Sequence, residues 1–241
     1  MSAAAFADRV IDAMRSHVPL DAGPEPRSRA EGFEVQRLLC ERLGEKVAGW
    51  KVAVHPVLGP VAAPIFAGTM RGDGGAWPMR PGLGVEIEIA LWLSRDLPRG
   101  VYDRAAIAAA VGGACVGVEL VGTRLREPTR NLEAFLGDLM SNVGYVAPDA
   151  RWRWADQPIA GRRCRLLLDG EALFDAPAAP PALDPLAVTA AWLAAGDDAL
   201  GGFKAGQFVT TGSLCGAVPL PGKGRATALL EGFDPIEVVI D

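Results

Sequence analysis

Two glutamates set two residues apart in an apolar run are the first candidates for chemistry. The segment GVEIEIAL (Gly84 to Leu91) places Glu86 and Glu88 between aliphatic residues. In a β-strand, side chains two positions apart point to the same face, so both carboxylates would share one face of the strand. A half-exposed strand with a solvated acidic face shows the same alternation. A bound cation is the other interpretation, because it compensates the repulsion between neighbouring carboxylates.

A third carboxylate lies in a second apolar run. Glu119 is part of CVGVELVG (Cys115 to Gly122), where a lone buried carboxylate is unfavourable unless it is paired or binds a metal. If the two segments form neighbouring strands, three carboxylates converge on one point. Three oxygen ligands completed by water suit Mg²⁺. His17 and His55 are too far apart in sequence to form a local ligand pair, so any metal would be held mostly by oxygen.

Lys51 and His55 are the candidate acid–base residues. Lys51 lies within the strand-like segment AGWKVAV. Beside an acidic metal site, a lysine could bind a substrate carboxylate or transfer a proton. A lysine that reaches from a sheet edge into solvent is the alternative. His55 could act as a general base, because imidazole titrates near neutral pH, but a histidine before a proline is also an ordinary turn residue.

The elements that must position these residues begin with two helices. Apolar residues recur with a helical period from Ala3 to about Ser16. After the breaker segment DAGPEPR, Ser28 is the expected N-cap of a second helix, and Glu31 completes a capping box. Gly44 is the expected C-terminal stop of that helix.

From residue 47 onward the pattern becomes typical of strands. Short apolar runs such as VEIEIALWL, RATALLEG and PIEVVI alternate with segments rich in Gly and Pro, while DRAAIAAAVG and LAVTAAWLAAG favour helices. Asp169-Gly170 separates CRLLL from EALF and predicts a type I′ hairpin. Helices followed by a β-rich body with interspersed helices predict an α+β fold.

Length, charge and hydropathy exclude several classes of protein. The chain has 241 residues and a net charge of −5 with no basic stripe, which argues against a nucleic-acid partner. No apolar run is long enough to cross a bilayer, and early charges interrupt any signal-peptide core, so we expect no membrane association and a cytoplasmic location. We expect a helical segment with the lysine strand over residues 1–75, and a β-rich metal-binding catalytic domain over residues 76–241.

The sequence resembles the 2-keto-4-pentenoate hydratase and 4-oxalocrotonate decarboxylase group of the fumarylacetoacetate hydrolase superfamily. The resemblance covers most of the chain, and it depends on the order of several short motifs. The matching segments are FEVQ (Phe33 to Gln36), GWKVAV (Gly49 to Val54), VEIEIALWLSRDLP (Val85 to Pro98), VELVGTR (Val118 to Arg124), GDLMSNVGYV (Gly137 to Val146) and VTTGSLCGAVPLPG (Val209 to Gly222).

The resemblance implies a fold and a metal site. It implies a β-rich core built as a distorted barrel or roll, with the N-terminal helices packed against it, and assembly into homo-oligomers. It also implies that Glu86, Glu88 and Glu119 bind Mg²⁺ or Mn²⁺, and that Lys51 lies in the active site. Further residues in matching segments could donate hydrogen bonds to the substrate or serve as ordinary polar groups of strands and turns: Ser141, Asn142 and Ser213.

Five positions depart from the pattern of the family. Ile65 stands where hydratases often have an aspartate, and His55-Pro56 replaces the usual Thr-Ser. Gly122 stands in place of another aspartate, and Leu139 in place of an asparagine. The metal site is therefore expected to be intact, while the groups that surround the substrate are altered.

The resemblance implies a divalent-metal-dependent lyase that acts on a small 2-oxo acid or its dienol. Our first expectation is hydration of a 2-hydroxy-2,4-dienoate in the catabolism of aromatic compounds. The first alternative is decarboxylation of a vinylogous 2-oxo diacid, which needs no base to activate water and is compatible with Ile65. Hydrolysis of a C–C bond in an acylpyruvate is a further alternative. A catalytically silent relative that serves as an oligomeric partner is the alternative from another class.

Overall fold

Helices cover the N-terminal part of the chain and strands dominate the rest. The computed structural model describes residues 3–21, 23–126, 131–153, 159–181, 184–195 and 200–241. In these ranges the helices are α1 (Ala3–Ser16), α2 (Arg29–Leu43), α3 (Arg104–Ala110), α4 (Leu132–Gly137) and α5 (Pro185–Ala195). The strands in the same ranges are β1 (Val47–His55), β2 (Gly59–Phe66), β3 (Met70–Arg71), β4 (Ala76–Trp77), β5 (Gly84–Leu93), β6 (Val111–Val121), β7 (Asn142–Val146), β8 (Arg163–Leu168), β9 (Glu171–Pro177), β10 (Phe208–Thr210), β11 (Val218–Pro219), β12 (Gly224–Leu230) and β13 (Ile236–Ile240).

The described strands form two sheets. The larger sheet has eight strands in the order β2-β1-β10-β5-β6-β7-β3, with β11 paired to the start of β5. The smaller sheet has five strands in the order β4-β13-β12-β8-β9. The larger sheet is mixed, because β1 runs parallel to β10 and β3 parallel to β7. Since β2 also lies close to β7, the larger sheet is curled into a half-barrel.

Local sequence features explain where the helices begin and end. The side chain of Ser28 accepts a hydrogen bond from the backbone N–H of Glu31, and Gly44 ends α2 in the left-handed conformation with φ 63°. The carboxylate of Glu31 accepts the backbone N–H of Arg27 at 2.8 Å, one residue before the expected cap. At the start of α5, the carboxylate of Asp184 accepts the N–H of Leu186 at 3.0 Å. The predicted start and end of α2 are confirmed.

The predicted hairpin is also confirmed. Asp169 and Gly170 connect β8 to β9, and both have positive φ, 50° and 88°. A type I′ turn requires this conformation at both central residues. Only the first part of QFVTTGSLCG is a strand, because β10 ends at Thr210 and Gly212 follows with φ 112°.

The predicted α+β class and the barrel-like core are confirmed by the two sheets and the helices that pack on them. The division between residues 1–75 and 76–241 stays a prediction, and β1, β2 and β3 pair within the same sheet as β5, β6 and β7. Among the described helices, none is both long enough and apolar enough to traverse a bilayer.

Candidate metal centre

The antiparallel pairing of β5 with β6 brings the three predicted carboxylates together. Glu86 lies directly opposite Glu119 in the register, and Glu88 lies opposite Gly117. One carboxylate oxygen from each glutamate falls within 4.8 Å of the others. Two oxygens on opposite sides of an octahedral Mg²⁺ are about 4.2 Å apart, so small side-chain rotations would bring all three into coordination.

The carboxylates are buried, and two of their oxygens have no hydrogen bond. Glu88 and Glu119 are 0% exposed, while the side chain of Glu86 is 14% exposed. Glu88 Oε1 and Glu119 Oε2 are both enclosed, and neither has a hydrogen-bond partner in the described structure. Unpaired carboxylate oxygens are unfavourable in a protein interior unless a cation binds them. The three glutamates are therefore placed to bind a divalent metal, and the all-oxygen donor set suits Mg²⁺ or Mn²⁺.

Lys51 lies among these carboxylates. Its Nζ is 3.0 Å from Glu86 Oε2 and 3.0 Å from Glu119 Oε1, and its side chain is 11% exposed. β1 lies between β2 and β10, so Lys51 is not at a sheet edge from which it could reach into solvent. Burial alone would lower the pKa of the ammonium, but the charges of Glu119, Glu86 and Glu88 outweigh it and raise that pKa. Lys51 is thus held as a cation.

Burial has the opposite effect on the acids. It raises the pKa of Glu88 well above its usual range, and the neighbouring charge of Glu119 adds to the rise while Lys51 opposes it. Burial likewise raises the pKa of Glu119, against the opposing charge of Lys51. One cation does not compensate three carboxylates, so this part of the protein interior favours a bound cation or a bound proton.

Two polar side chains orient the carboxylates. The hydroxyl of Thr210, at the end of β10, donates to Glu88 Oε2. The side-chain amide of Asn142, at the start of β7, donates to Glu119 Oε1 at 3.0 Å. Both residues are buried. Sequence analysis missed Thr210, and the only indication was a threonine in an apolar strand within the TTG motif.

A β-bulge turns Asn142 toward the carboxylates. Gly144 pairs with Leu120 and Asn142 pairs with Val121, so Val143 is an extra residue on β7. A bulge shifts the alternation of the strand by one position. Asn142 and Tyr145, three residues apart, consequently both point to the inner face of the half-barrel, as their contacts with Glu119 and Gly117 show.

A buried ion pair, also missed in the sequence, holds the start of β7. Arg124 lies 2.9 Å from the carboxylate of Asp138, which is 0% exposed, and also donates to the backbone oxygen of Asn142 at 2.7 Å. Positive φ is unfavourable for residues other than glycine. Between Asp138 and Asn142, three residues in succession have positive φ: Leu139, Met140 and Ser141. The ion pair and this left-handed turn together fix the backbone from which Asn142 reaches Glu119.

An apolar cluster lies on the same inner face, further into the half-barrel. It contains Ile65, Tyr145 and Phe208, all 0% exposed. Two glycines make room for the rings, because a Cβ at Gly117 would meet the hydroxyl of Tyr145 at 2.2 Å and a Cβ at Gly49 would meet the ring of Phe208 at 2.3 Å. Ile65, one of the positions that depart from the expected family pattern, therefore contributes to an apolar wall.

The remaining predicted site residues lie outside the carboxylate cluster. His55 shares its strand face with Lys51 but is four residues further along β1, about 13 Å away. Its Nδ1 accepts the backbone N–H groups of residues 57 and 58, both at 3.2 Å. The hydroxyl of Ser213 donates to the backbone oxygen of Gly216 at 3.0 Å. Ser141 is half-buried, and its backbone oxygen accepts the N–H of Gly122 at 2.9 Å. A substrate role for any of these residues stays a prediction.

Comparison with known sequences identifies relatives with an assigned activity. No family model matches the chain. Two proteins named 2-keto-4-pentenoate hydratase, from Burkholderia vietnamiensis and Paraburkholderia phymatum, are each 30% identical to it over 204 residues. In both cases the match covers 80% of this chain and 78% of the relative.

Comparison with solved structures identifies proteins of the same fold. The 4-oxalocrotonate decarboxylase from Pseudomonas putida G7, complexed with magnesium and adipate, aligns with a TM-score of 0.82 and 18% identity, over 99% of this chain and 97% of the other. Fumarylpyruvate hydrolase from Pseudomonas aeruginosa, in complex with Mn²⁺ and pyruvate, aligns with a TM-score of 0.58 and 15% identity, over 80% and 88% of the two chains. Together with the two hydratase relatives, these matches show that the chain is an enzyme and belongs to the 2-keto-4-pentenoate hydratase and 4-oxalocrotonate decarboxylase group of the fumarylacetoacetate hydrolase superfamily.

Proposed function

We propose that the enzyme is a divalent-metal-dependent hydratase that adds water to a small 2-hydroxy-2,4-dienoate in the catabolism of aromatic compounds. The observation that carries this proposal is the buried cluster in which Lys51 contacts Glu86 and Glu119, with Glu88 beside them. The names of the two relatives with 30% identity support the choice of reaction.

The three glutamates are the proposed metal ligands. Glu86, Glu88 and Glu119 would hold Mg²⁺ or Mn²⁺, with Thr210 and Asn142 fixing the orientation of two of the carboxylates. Such a cation, when bound, acts as a Lewis acid that polarises the 2-oxo group of the substrate. The protein contributes a rigid and largely water-free set of ligands, because both orienting side chains are themselves buried.

Lys51 is the proposed residue for proton transfer or for binding the substrate carboxylate. Hydration places a hydroxyl at carbon 4 of the dienoate and a proton at each of carbons 3 and 5, while the 2-hydroxyl group loses its proton. One of the two added protons comes from water, and the other balances the proton lost from the 2-hydroxyl. The ammonium of Lys51 is positioned inside the cluster to move such a proton or to neutralise the acid group of the substrate.

Four further residues are proposed to act on the substrate. His55 lies on the strand face of Lys51, toward the end of the sheet where β5 begins, and could assist water as a general base. Ser141 and Ser213 belong to turns next to strands that contribute to the cluster. Asn142 contacts Glu119, so we propose that it acts on the substrate and on the metal ligand together.

Decarboxylation of a vinylogous 2-oxo diacid is the second candidate function. The observation that favours it is Ile65, which is 0% exposed and packs in an apolar cluster, so this position supplies no carboxylate that could activate water. Decarboxylation needs no such base. The likeness to 4-oxalocrotonate decarboxylase shows a shared fold and does not choose between the two reactions.

Product analysis distinguishes the two reactions. With Mg²⁺, we expect the purified protein to convert 2-hydroxypenta-2,4-dienoate to 4-hydroxy-2-oxopentanoate. We expect no release of CO₂ from 2-oxohex-3-enedioate. Release of CO₂ from the diacid without hydration of the dienoate would replace our first proposal by the second, and inactivity with both would contradict both.

The variant Lys51→Ala tests the proposed role of the lysine. We expect a loss of turnover of at least about a hundredfold, in the range typical of residues that transfer protons, with the fold retained in circular dichroism. Lys46→Ala, which removes an exposed lysine shortly before β1, is the matched control and should keep full activity. Full activity of Lys51→Ala would contradict a catalytic role.

We also propose that the enzyme is a cytoplasmic homo-oligomer. Val54 and Val57, on the hairpin between β1 and β2, are 53% and 76% exposed and could form part of an interface. Light scattering during size-exclusion chromatography should give a multiple of the 25.3 kDa chain mass, and a single chain mass would contradict assembly. Cell fractionation should recover the protein with cytoplasmic markers, and recovery with the membranes would contradict that location.

A further inference from the structure

A groove outside the metal centre has the size of a ligand site. It lies between the C-terminal end of α1, the segment around β3 and β4, and the residues that follow β6. Its volume is about 540 Å³, and small-molecule sites typically measure about 300–1,000 Å³. Lys51, Glu86, Glu88 and Glu119 are not among the residues that line it. The groove is therefore separate from the carboxylate cluster.

One wall of the groove is apolar. Val18, just after α1, is 57% exposed, which is unusual for a large aliphatic side chain and leaves apolar surface open to a ligand. Trp77 provides an aromatic ring, and the edge of this ring lies so close to Gly144 that a Cβ there would be 2.4 Å from it. The apolar side chains that line the groove include Met14, Val18, Trp77, Met79, Leu83 and Val143.

The charged residues of the groove are all basic. Among the described residues that line it, none is acidic, whereas Arg71, Arg80 and Arg124 are present. The charge of Arg124 is balanced by Asp138 at 2.9 Å. Neither Arg71 nor Arg80 forms an ion pair with a described residue, so the groove carries two uncompensated positive charges.

Arg71 is held in a geometry that suits an anion. Its guanidinium lies over the ring of Trp77, 5.2 Å from the centroid, and it donates to backbone oxygens of residues 68 and 70. A guanidinium stacked on an aromatic ring keeps its edge available for a carboxylate. His17 lines the groove as well, and burial together with the charge of Arg80 lowers the pKa of its imidazole. The neutral form of the imidazole is thus favoured, and Arg71 and Arg80 supply the positive charge.

We propose that this groove binds a small organic anion with an apolar body, of the class of the aryl carboxylates. The apolar wall would take the ring system, and Arg71 and Arg80 would bind the carboxylate. This combination of an apolar surface with a few convergent polar groups is typical of small-molecule sites. The proposal is independent of the reaction assigned to the metal centre.

Calorimetry with 2-naphthoate and its uncharged counterpart 2-naphthylmethanol tests the proposal. The full chain is titrated in the presence of Mg²⁺ and saturating oxalate, so that the metal centre is filled. We expect one 2-naphthoate per chain and at least tenfold weaker binding of 2-naphthylmethanol, because a charge-assisted hydrogen bond is lost. Equal affinity for the two probes, or no binding of 2-naphthoate, would overturn the proposal.

Variants of groove residues test whether 2-naphthoate binds in the groove. Arg71→Gln/Arg80→Gln should weaken 2-naphthoate binding at least tenfold, and Val18→Asp should weaken it by placing a negative charge on the apolar wall. Arg27→Gln/Arg95→Gln removes two exposed arginines outside the groove and should leave the affinity within twofold. All substituted residues except Arg80 are exposed, so the fold should persist. Unchanged binding in both groove variants, or the same loss in the control, would contradict this location.

Discussion

The charged side chains of the two sheets differ in burial and in charge balance. On the five-stranded sheet, Arg225 pairs with Glu237 at 2.7 Å, and these side chains are 52% and 37% exposed. Inside the eight-stranded half-barrel, one buried cation, Lys51, faces three carboxylates, two of which are 0% exposed. The two charges of this exposed pair are thus matched one to one, whereas the cluster in the large sheet is buried with an excess of negative charge.

The exposed pair and the buried cluster contribute differently to stability and to function. Exposed ion pairs contribute little to the free energy of folding, and their geometry needs no further partner. A buried excess of carboxylates is unfavourable and is retained where a ligand compensates it. The pKa values follow the same division: a hydrogen bond from Arg163 lowers the pKa of the exposed Asp175, whereas burial raises the pKa of Glu88.

Removal of the positively charged side chain should destabilise the protein far more in the buried cluster than in the exposed ion pair. In buffer without metal, Lys51→Met leaves the buried carboxylates uncompensated and should lower the free energy of unfolding by about 3–5 kcal/mol. Arg225→Met on the small sheet should lower it by less than about 1 kcal/mol. Urea unfolding followed by circular dichroism measures both values.

Mg²⁺ provides the control for this comparison. Addition of the ion should restore part of the stability of Lys51→Met, because a cation again neutralises the carboxylates, and should leave the difference between wild type and Arg225→Met unchanged. Equal losses in the two variants without metal would show that the buried cluster is no more sensitive to charge than the exposed pair.

The orienting role of Asn142 predicts a smaller effect. Asn142→Ala removes the hydrogen bond to Glu119 Oε1 and should weaken Mg²⁺ binding by about 10–100-fold, the usual result of losing a residue that orients a metal ligand. Ser213→Ala is the control, since its hydroxyl bonds within its own turn. Calorimetry should find its Mg²⁺ affinity within twofold of wild type. An equal loss in both variants would contradict a specific role for Asn142.

The raised pKa values of the buried acids predict that Mg²⁺ affinity depends on pH. Burial raises the pKa of Glu88 and of Glu119, so protons compete with the metal for both carboxylates as the pH falls. The affinity should decrease by up to about tenfold per pH unit for each proton displaced. Calorimetry in buffers of different ionisation enthalpy should detect proton release at pH 6 and less of it at pH 8. No proton release at either pH would contradict raised pKa values.

Much of the fold followed from patterns within single segments. The N-cap at Ser28, the stop at Gly44 and the hairpin at Asp169-Gly170 depend on local backbone chemistry, which the sequence displays directly. The convergence of the three glutamates was a hypothesis that depended on two apolar segments pairing as neighbouring strands, and their role as metal ligands was implied by the resemblance to the family. Each of these predictions needed only one segment, or two segments paired as neighbouring strands.

Other features of the site depend on contacts between distant segments. The hydrogen bond from Thr210 to Glu88 joins residues 122 positions apart, and the Arg124–Asp138 ion pair lies next to a left-handed turn of non-glycine residues. Simple alternation along β7 would place Asn142 and Tyr145 on opposite faces. Because Val143 is an extra residue in a bulge, both side chains point to the same face. Tertiary packing determines such features, and propensity or periodicity does not encode them.

Titration of Mg²⁺ into metal-free protein is the measurement that tests the metal centre most directly. We predict that the wild type binds one ion per chain, that Glu86→Gln shows no detectable binding at the same concentrations, and that Glu237→Gln on the small sheet binds like wild type. Absence of binding by the wild type, or equal binding by wild type and Glu86→Gln, would contradict a metal held by the carboxylate cluster of the half-barrel.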